Sequence, residues 1–327
     1  MQCTNKLKQL GIAVHSYHDT HSGIPAGMSG LPNRSVPQAH RFSALLKLCP
    51  FIEAQSIFDL MLNTPAATCH LSHPVGIDNV NFPAFLCPSN TGEVPIAACD
   101  FVGRNNYHIM YGDIIVNGDS TTCNGEDVGV FHCPRGFFGV KYSFKGLEAI
   151  TDGLSNTIAF SERVGLESAR GQYDYTNPKK GAVRMRSAMG SWEVTDTATR
   201  LQCITIAKDT TGTLGAPATN SPGIQWTNGD TSANGLSTVM PPNTAACVGR
   251  QTGEGLTLNT PSSNHPGGVN SCYGDGSVHF ISETINAITT GQSDSTEILH
   301  HPASGGVSHW GVWGALGSAN GGESSTP

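Results

Sequence analysis

The feature that most constrains the fold is one periodic segment at the N-terminus of a chain that otherwise shows little helical pattern. In residues 1–19, "MQCTNKLKQLGIAVHSYHD", apolar side chains recur at three- and four-residue steps. This spacing predicts a helix with one apolar face, made by Cys3, Leu7, Leu10, Val14 and Tyr17. Gly23 and Pro25 end the pattern. A single apolar stripe must be covered, so we expect it to pack against strands from later in the chain.

The remainder of the chain predicts a β-rich body. A second helix is expected at 40–62, interrupted at Pro50, and "FPAFLCPSN" (82–90) is expected to be a short strand running into a turn. Beyond residue 95, short β-type runs such as "NNYHIMYGDIIV" and "NTIAFSERVG" are separated by Gly, Asn and Asp. The sequence therefore predicts the α+β class: a helix at 1–25, a β-rich head at 26–313 and a Gly/Ser-rich flexible tail at 314–327.

Composition indicates an exported protein with a neutral polar surface. Charged residues make up 13% of the chain, roughly half the usual share, and there are 39 glycines. The formal charge of −7 is spread thinly, and the longest basic run is Lys179-Lys180, so we expect no nucleic-acid partner. No G-x-S-x-G, H-E-x-x-H or P-loop motif is present. We therefore expect no catalytic residues, with a secreted hydrolase as a remote alternative.

The ten cysteines indicate disulfide bonds and an oxidising compartment, because they are widely spaced and form no C-x-x-C pair. Sequence does not fix their connectivity, and the alternative is that several are buried free thiols. The plausible pairs are Cys123 with Cys133, Cys203 with Cys247, and Cys87 with either Cys69 or Cys99.

The segment "NHPGGVNSCYGDGSVHF", residues 264–280, places a histidine and an aspartate ten positions apart among glycines. We interpret it as a turn-and-strand element in preference to a catalytic pair, because its glycines permit positive φ and an Asp-Gly pair favours a two-residue hairpin turn. The residues concerned are His265, Gly267, Gly268, Asn270, Asp275 and Gly276. A weak calcium site at Asn270 and Asp275 is the alternative, since both offer hard oxygen ligands.

Two further groups of residues have candidate roles. In "ITDGLSNTIAFSE" (150–162), Asp152 and Gly153 predict a turn, and Asn156 is placed to bond nearby backbone. Exposed tryptophans could stack on sugar rings, although burial against Gly-rich strands is the commoner arrangement. The glycan-binding candidates are Trp192, Trp226, Trp310 and Trp313.

Several blocks, taken together and in order, resemble a large planctomycete family of prepilin-type proteins of unknown function. They are "CTNKLKQLGIAVHSYHDTHSGIPAG" (3–27), "FLCPSN" (85–90), "TDGLSNTIAFSERVG" (151–165), "MPPN" (240–243) and "WGVWGALGSANGGE" (310–323). His265 and Asp275-Gly276 stand at the spacing of that family's C-terminal signature, a histidine, nine residues, then Asp-Gly. Such proteins have also been grouped with extracellular solute-binding proteins.

The resemblance implies a type IV pilin or pseudopilin-like head, at the cell surface or in the periplasm, with a structural or adhesive role. Family members carry a short leader and an apolar helix that anchors them in the membrane and bundles with other pilin-like subunits. The sequence given starts after such a stem would end, so we expect a truncated soluble head. The alternative is an extracellular protein that binds a polysaccharide or small solute, and neither reading requires a cofactor.

Overall fold

The computed structural model describes residues 1–29, 42–63, 81–90, 103–114, 116–117, 134–139, 145–164, 189–191, 226–229, 231–244, 246–248, 256–287 and 306–323. The helices are α1 Gln2–His21, α2 Ala44–Leu48, α3 Gln55–Asn63, α4 Thr231–Asn234 and α5 Gly311–Gly317. The strands are β1 Met28–Ser29, β2 Phe42–Ser43, β3 Tyr107–Met110, β4 Val116–Asn117, β5 Ile158–Glu162, β6 Met189–Ser191, β7 Gly235–Leu236, β8 Ala246–Val248, β9 Leu256–Leu258, β10 Gly268–Tyr273 and β11 Val278–Ser282. Short 3-10 helices cover Cys49–Ile52, Pro83–Phe85 and Leu147–Ala149. These elements confirm the α+β class.

Helix α1 has the apolar face that its periodicity predicts. Leu7, Leu10 and Val14 are each at most 1% exposed, and Cys3 is buried beside them. The helix ends where Ser22 takes a left-handed conformation and donates its N–H to the carbonyl of His18 at 2.7 Å. The end falls at the start of the Gly/Pro segment, as the sequence indicates.

The second predicted helix is divided into shorter elements. Strand β2 pairs with β1, and the Ser43 hydroxyl then accepts the N–H of Leu46 at the start of α2. Pro50 lies in the first turn of the 3-10 helix that follows, where its missing N–H is tolerated, and α3 begins after it. The strand expected at 82–90 is wrong at its start. Pro83 begins a 3-10 helix there, because the fixed φ of proline favours a helical turn.

The main sheet forms the surface on which α1 lies. In the described part of the chain its strand order is β11-β10-β5-β3-β7, antiparallel except for the β3–β7 pair. Strands β10 and β11 form the hairpin that the Asp-Gly pair predicts. Its turn is longer than the expected two residues, because the N–H of Tyr273 donates to the carbonyl of Ser277 and leaves residues 274–276 in the loop, with Gly276 at φ +82°. A smaller sheet has the order β4-β9-β8-β6.

Helix α1 lies very close to the β10–β11 hairpin. A Cβ atom built on Gly11 would lie 2.9 Å from the Sγ of Cys272 and 2.9 Å from the Cα of Gly276. Both distances are shorter than normal van der Waals contact, so only glycine fits at this crossing. Leu7, Leu10, Phe160 and Cys272 belong to one buried apolar cluster between helix and sheet. The helix therefore covers the sheet as its stripe predicts.

The C-terminal segment differs from the flexible tail predicted from residue 314. Helix α5 continues to Gly317, and Leu316 and Ala319 are buried. The N–H of Ala319 donates to the carbonyl of Arg135 at 2.8 Å. The glycine and serine content reflects close packing here, because the Cβ of a residue at 317 would meet Thr238.

Among the described residues, no helix is both long and apolar enough to cross a membrane.

Candidate functional site

Four residues far apart in sequence converge at one end of the main sheet. They are Cys3, Cys87, Glu162 and His265, and we call them the Cys–Glu–His cluster. One donor atom from each lies within 4.8 Å of the others. Three of the four residues are buried, and the side chain of His265 is 27% exposed. The cluster therefore has one side open to solvent.

The two cysteines join α1 covalently to the segment after the Pro83–Phe85 helix. Cys3, in the first turn of α1, forms a disulfide with Cys87 across a sequence separation of 84 residues. In the chain-entropy model, closing a loop of this length stabilises the fold by roughly 4–5 kcal/mol. Lys6, one turn further along α1, donates its ammonium group to the carbonyls of Pro83 and Leu86, each at 2.7 Å. Both contacts hold the start of α1 against the same segment.

Asn106 positions Cys87 relative to strand β5. Its side-chain oxygen accepts the N–H of Cys87 at 2.9 Å, and its amide nitrogen donates to the carbonyl of Arg163 at 3.1 Å. Its own N–H donates to the carbonyl of Phe85 at 2.7 Å. Because Asn106 is buried, these bonds fix the Cys87 backbone at the end of β5, where Glu162 lies.

Glu162 is a buried carboxylate whose two oxygens both accept from Asn270, and Oε1 also faces His265. Oε2 accepts the backbone N–H of Asn270 at 2.8 Å, and the Asn270 side chain donates to both oxygens at 3.1 Å. Oε1 faces the Nε2 of His265 at 3.2 Å. Burial raises the pKa of the Glu162 carboxyl, while the Asn270 hydrogen bonds and the proximity of His265 act in the opposite direction.

The loop before β10 brings His265 to this carboxylate. The N–H of His265 donates to the hydroxyl of Ser263 at 3.0 Å, and that hydroxyl donates to the carbonyl of Gly268 at 2.7 Å. Asn264 donates to the carbonyl of Ser89 at 3.1 Å, which joins the loop to the Cys87 segment. Gly267 has φ +82°, so the turn after His265 uses the freedom that its glycine provides.

Several heteroatoms surround a single nitrogen of His265. Its Nε2 lies 3.2 Å from Glu162 Oε1, 3.4 Å from Ser89 Oγ and 3.7 Å from Cys87 Sγ. A catalytic triad instead needs the acid and the nucleophile on opposite ring nitrogens. This arrangement does not form a Ser–His–acid relay, because Glu162, Ser89 and Cys87 all face the same ring nitrogen.

The two ends of the 264–280 segment lie at different places in the fold. His265 reaches the cluster, whereas Asp275 is exposed and its carboxylate accepts the N–H of Ser277 within the hairpin turn. Asn270 is committed to Glu162, and at about 3.3 Å per residue its position on β10 is on the order of 10 Å or more from the turn. The structure therefore does not bring Asn270 and Asp275 together as ligands of one ion.

The 150–162 segment binds the C-terminal residues. Gly153 has φ +97°, and the side chain of Asn156 donates to the carbonyl of Asp152 at 2.9 Å. The Asp152 carboxylate accepts the N–H groups of Gly321 and Gly322 at 2.6 and 2.8 Å. These contacts give Asp152 a structural role in holding residues beyond α5.

The described tryptophans do not form an exposed platform for sugars. Trp226 and Trp313 are fully buried, and Trp310 is 6% exposed. The indole N–H groups of Trp313 and Trp310 donate to the carbonyls of Met240 and Asp113. The proposal of stacking at these three positions is wrong, because their rings fill the core; Trp192 lies outside the described residues.

The expected partners of Cys87 are also corrected. Cys87 bonds to Cys3, so it pairs with neither Cys69 nor Cys99. Cys49 and Cys272 are buried free thiols, and burial raises the pKa of Cys272 to about 12. Cys69, Cys99, Cys123, Cys133 and Cys203 lie outside the described residues, and of Cys247 only the backbone is described.

Sequence reasoning did not single out Glu162, Ser89 or the Cys3 thiol as site residues. Glu162 and Ser89 occur in the "TDGLSNTIAFSERVG" and "FLCPSN" blocks, and both blocks contribute to the cluster together with His265. The signal in the sequence was a charged residue at the end of the β-type run "NTIAFSE". In the structure this strand is buried throughout. A buried carboxylate needs a partner, but the sequence does not name it.

Comparison with known proteins places this chain in a family. Its residues 1–287, which include the whole Cys–Glu–His cluster, match the family model named SBP_bac_10 and described as "Protein of unknown function (DUF1559)". That name supports a grouping with solute-binding proteins. No curated protein and no solved structure matches the chain. The chain belongs to the DUF1559 family.

Proposed function

We propose that the chain is the extracellular head of a pilin-like protein with a structural or adhesive role and without catalysis. In the full-length protein an apolar N-terminal stem anchors the head in the membrane, at the cell surface or on the periplasmic side. The partners are other pilin-like subunits, which associate through their stems. No cofactor is needed for this role.

The observation that carries the proposal is the way α1 lies on the antiparallel part of the main sheet. One face of the helix is buried through Leu7, Leu10 and Val14, while Ile12 on the other side is 56% exposed. Such a helix is fixed to the head along one face only, and a stem that continues it would hold the head in a set orientation. This is the packing expected of a pilin-type head.

The contacts at the start of α1 support a mechanical connection between stem and head. The Cys3–Cys87 disulfide and the two Lys6 hydrogen bonds join the first turns of the helix to the Pro83–Cys87 segment. A force applied along a stem would reach the head through this covalent bond. A disulfide at such a position also fits an oxidising, extracellular environment.

Fractionation of the native organism tests this proposal. Cells are sheared mechanically, the released material is centrifuged at high speed, and the protein is located by immunoblot and immunogold electron microscopy. We expect the protein in the sheared pellet and in the membrane fraction. Recovery solely as a soluble monomer, released by osmotic shock, would contradict the pilin-like role.

An extracellular solute-binding role is the second candidate, and the name of the family model favours it. The test is thermal unfolding of the oxidised head in the presence of a panel of oligosaccharides, amino acids and small anions. A solute at 100 times its Kd stabilises the folded state by about 2.7 kcal/mol, which is readily detected. A stabilising solute supports binding, and a panel without any shift counts against it.

A further inference from the structure

We propose that reduction of the Cys3–Cys87 disulfide converts the Cys–Glu–His cluster into a binding site for one Zn²⁺ ion, or a similar divalent ion that takes thiolate ligands. The disulfide and the metal complex are then alternative states of the same two sulfur atoms. The inference concerns the chemistry of the cluster itself and does not depend on the pilin-like role.

The donor set is the first argument. Reduction supplies two thiolates, and Glu162 and His265 add a carboxylate and an imidazole, with all four donor atoms within 4.8 Å of one another. Thiolate, imidazole and carboxylate are the ligands that Zn²⁺ takes in tetrahedral sites. Ca²⁺ and Mg²⁺ prefer oxygen ligands alone, so the two sulfurs favour a softer ion.

The distances between donor atoms fit one tetrahedral ion. With usual Zn–S, Zn–N and Zn–O bond lengths, ideal edges are about 3.5 Å for S···N, about 3.6 Å for S···O and about 3.4 Å for N···O. Cys87 Sγ lies 3.7 Å from His265 Nε2 and 3.9 Å from Glu162 Oε1, and His265 Nε2 lies 3.2 Å from Glu162 Oε1. Three of the six edges of the tetrahedron are thus within a few tenths of an ångström of ideal already.

Hydrogen bonds from neighbouring residues fix Glu162 and Cys87, as is usual for the ligands of a protein-bound metal ion. Asn270 fixes the Glu162 carboxylate through its backbone and side-chain N–H groups, and leaves Oε1 facing the cluster. Asn106 fixes the backbone of Cys87. Such outer hydrogen bonds orient metal ligands and strengthen binding. The partly exposed ring of His265 gives the path by which an ion enters.

The conversion is a balanced exchange with a dithiol reductant. The reductant transfers two electrons and two protons to the Cys3–Cys87 bond, which opens to two thiols, and the reductant becomes a disulfide. The divalent ion then displaces the two thiol protons as the thiolates bind it. In reverse, a disulfide oxidant re-forms the Cys3–Cys87 bond and releases the ion, because disulfide sulfurs carry no charge and are poor ligands.

Metal binding to the whole chain under anaerobic conditions tests the inference. The protein is reduced with a dithiol, which is removed by gel filtration, and is then titrated with Co²⁺ and with Zn²⁺ against a chromophoric chelator. We expect one tightly bound ion per chain, with the intense ligand-field and thiolate charge-transfer bands of tetrahedral Co²⁺. The oxidised protein should bind Zn²⁺ at least 100-fold more weakly.

Variants assign the ligands. His265→Ala and Glu162→Gln in the reduced protein should each weaken Zn²⁺ binding at least 10-fold. His279→Ala, at an exposed position on β11, is the matched control and should leave the affinity unchanged. Dependence on His265 distinguishes this site from binding by the other cysteines of the chain.

Alkylation mapped by peptide mass spectrometry gives a second measurement. Zn²⁺ should protect Cys3 and Cys87 from a thiol reagent, and oxidised glutathione should release one ion per disulfide formed. Equal affinity in the oxidised protein, or unchanged affinity in His265→Ala, overturns the proposal. So does a reduced chain whose circular dichroism with Zn²⁺ is that of an unfolded protein.

Discussion

Gly11→Ala in helix α1 should destabilise the protein, although alanine is the better helix former. In an exposed helix this change stabilises by about 1 kcal/mol. Here the added Cβ would lie 2.9 Å from the Cα of Gly276 and 2.9 Å from the Sγ of Cys272. Overpacking of this kind costs about 1–3 kcal/mol, and the Gly276 contact is with backbone, which yields little. Because this contact is with backbone, we expect the cost in the upper half of that range, about 2–3 kcal/mol, and the helix gain of about 1 kcal/mol leaves a net loss of about 1–2 kcal/mol.

Guanidinium denaturation of the oxidised protein, followed by circular dichroism, measures this change. For a chain of 327 residues the expected loss corresponds to a fall in Tm of about 1.5–3 °C. Gln9→Ala, at an exposed position two residues earlier, is the control and should change stability by less than about 0.5 kcal/mol. A Gly11→Ala protein as stable as the wild type would show that α1 does not approach the hairpin this closely.

Substitutions at three further positions, Leu10, Lys47 and Asp152, test other parts of the fold. Leu10→Ala should lower the free energy of unfolding by about 3–5 kcal/mol, because the Leu10 side chain is 1% exposed, and Leu10→Asp should prevent folding. Ile12→Ala, at an exposed position, is the control and should cost little. Equal melting temperatures for Leu10→Ala and Ile12→Ala would refute the placement of the apolar stripe. Lys47 is buried, which lowers its pKa to about 7. Between pH 7 and about 10.5 the unfolded chain therefore binds one more proton than the folded chain, so the free energy of unfolding should rise by about 1.4 kcal/mol per pH unit. Lys47→Met should remove this rise. Denaturation of both proteins at pH 7.5 and pH 9 measures it. Asp152→Ala removes the acceptor for the backbone N–H groups of Gly321 and Gly322 and should lower the free energy of unfolding by about 1–3 kcal/mol. Hydrogen exchange at these two amides should become faster, and unchanged exchange would contradict the contact.

Local patterns in the sequence predict the elements whose physics is local. The three- and four-residue spacing of Leu7, Leu10 and Val14 identifies α1 and its buried face, and the Asp275-Gly276 pair identifies the β10–β11 hairpin. Pro83 is different, because the apolar residues around it suit a strand, whereas the fixed φ of the proline favours the 3-10 turn that forms. Residues 314–319 look flexible by composition, yet their small side chains permit close packing.

The candidate site depends on contacts that sequence distance conceals. Cys3 fits the apolar stripe of α1, so its sequence context does not indicate a disulfide with Cys87, 84 residues away. Glu162 and His265 are 103 residues apart and meet because β5 and β10 are neighbours in the sheet. Only the sheet order places these residues together, and no periodicity within a short window records that order.

Mass spectrometry of the native N-terminus, on protein isolated from its own organism, tests the pilin-like proposal most directly. We expect an N-methylated first residue followed by an apolar stem that leads into α1. A mature chain cleaved by a signal peptidase, with no apolar segment ahead of α1, would contradict it, and the solute-binding role would then be the leading one.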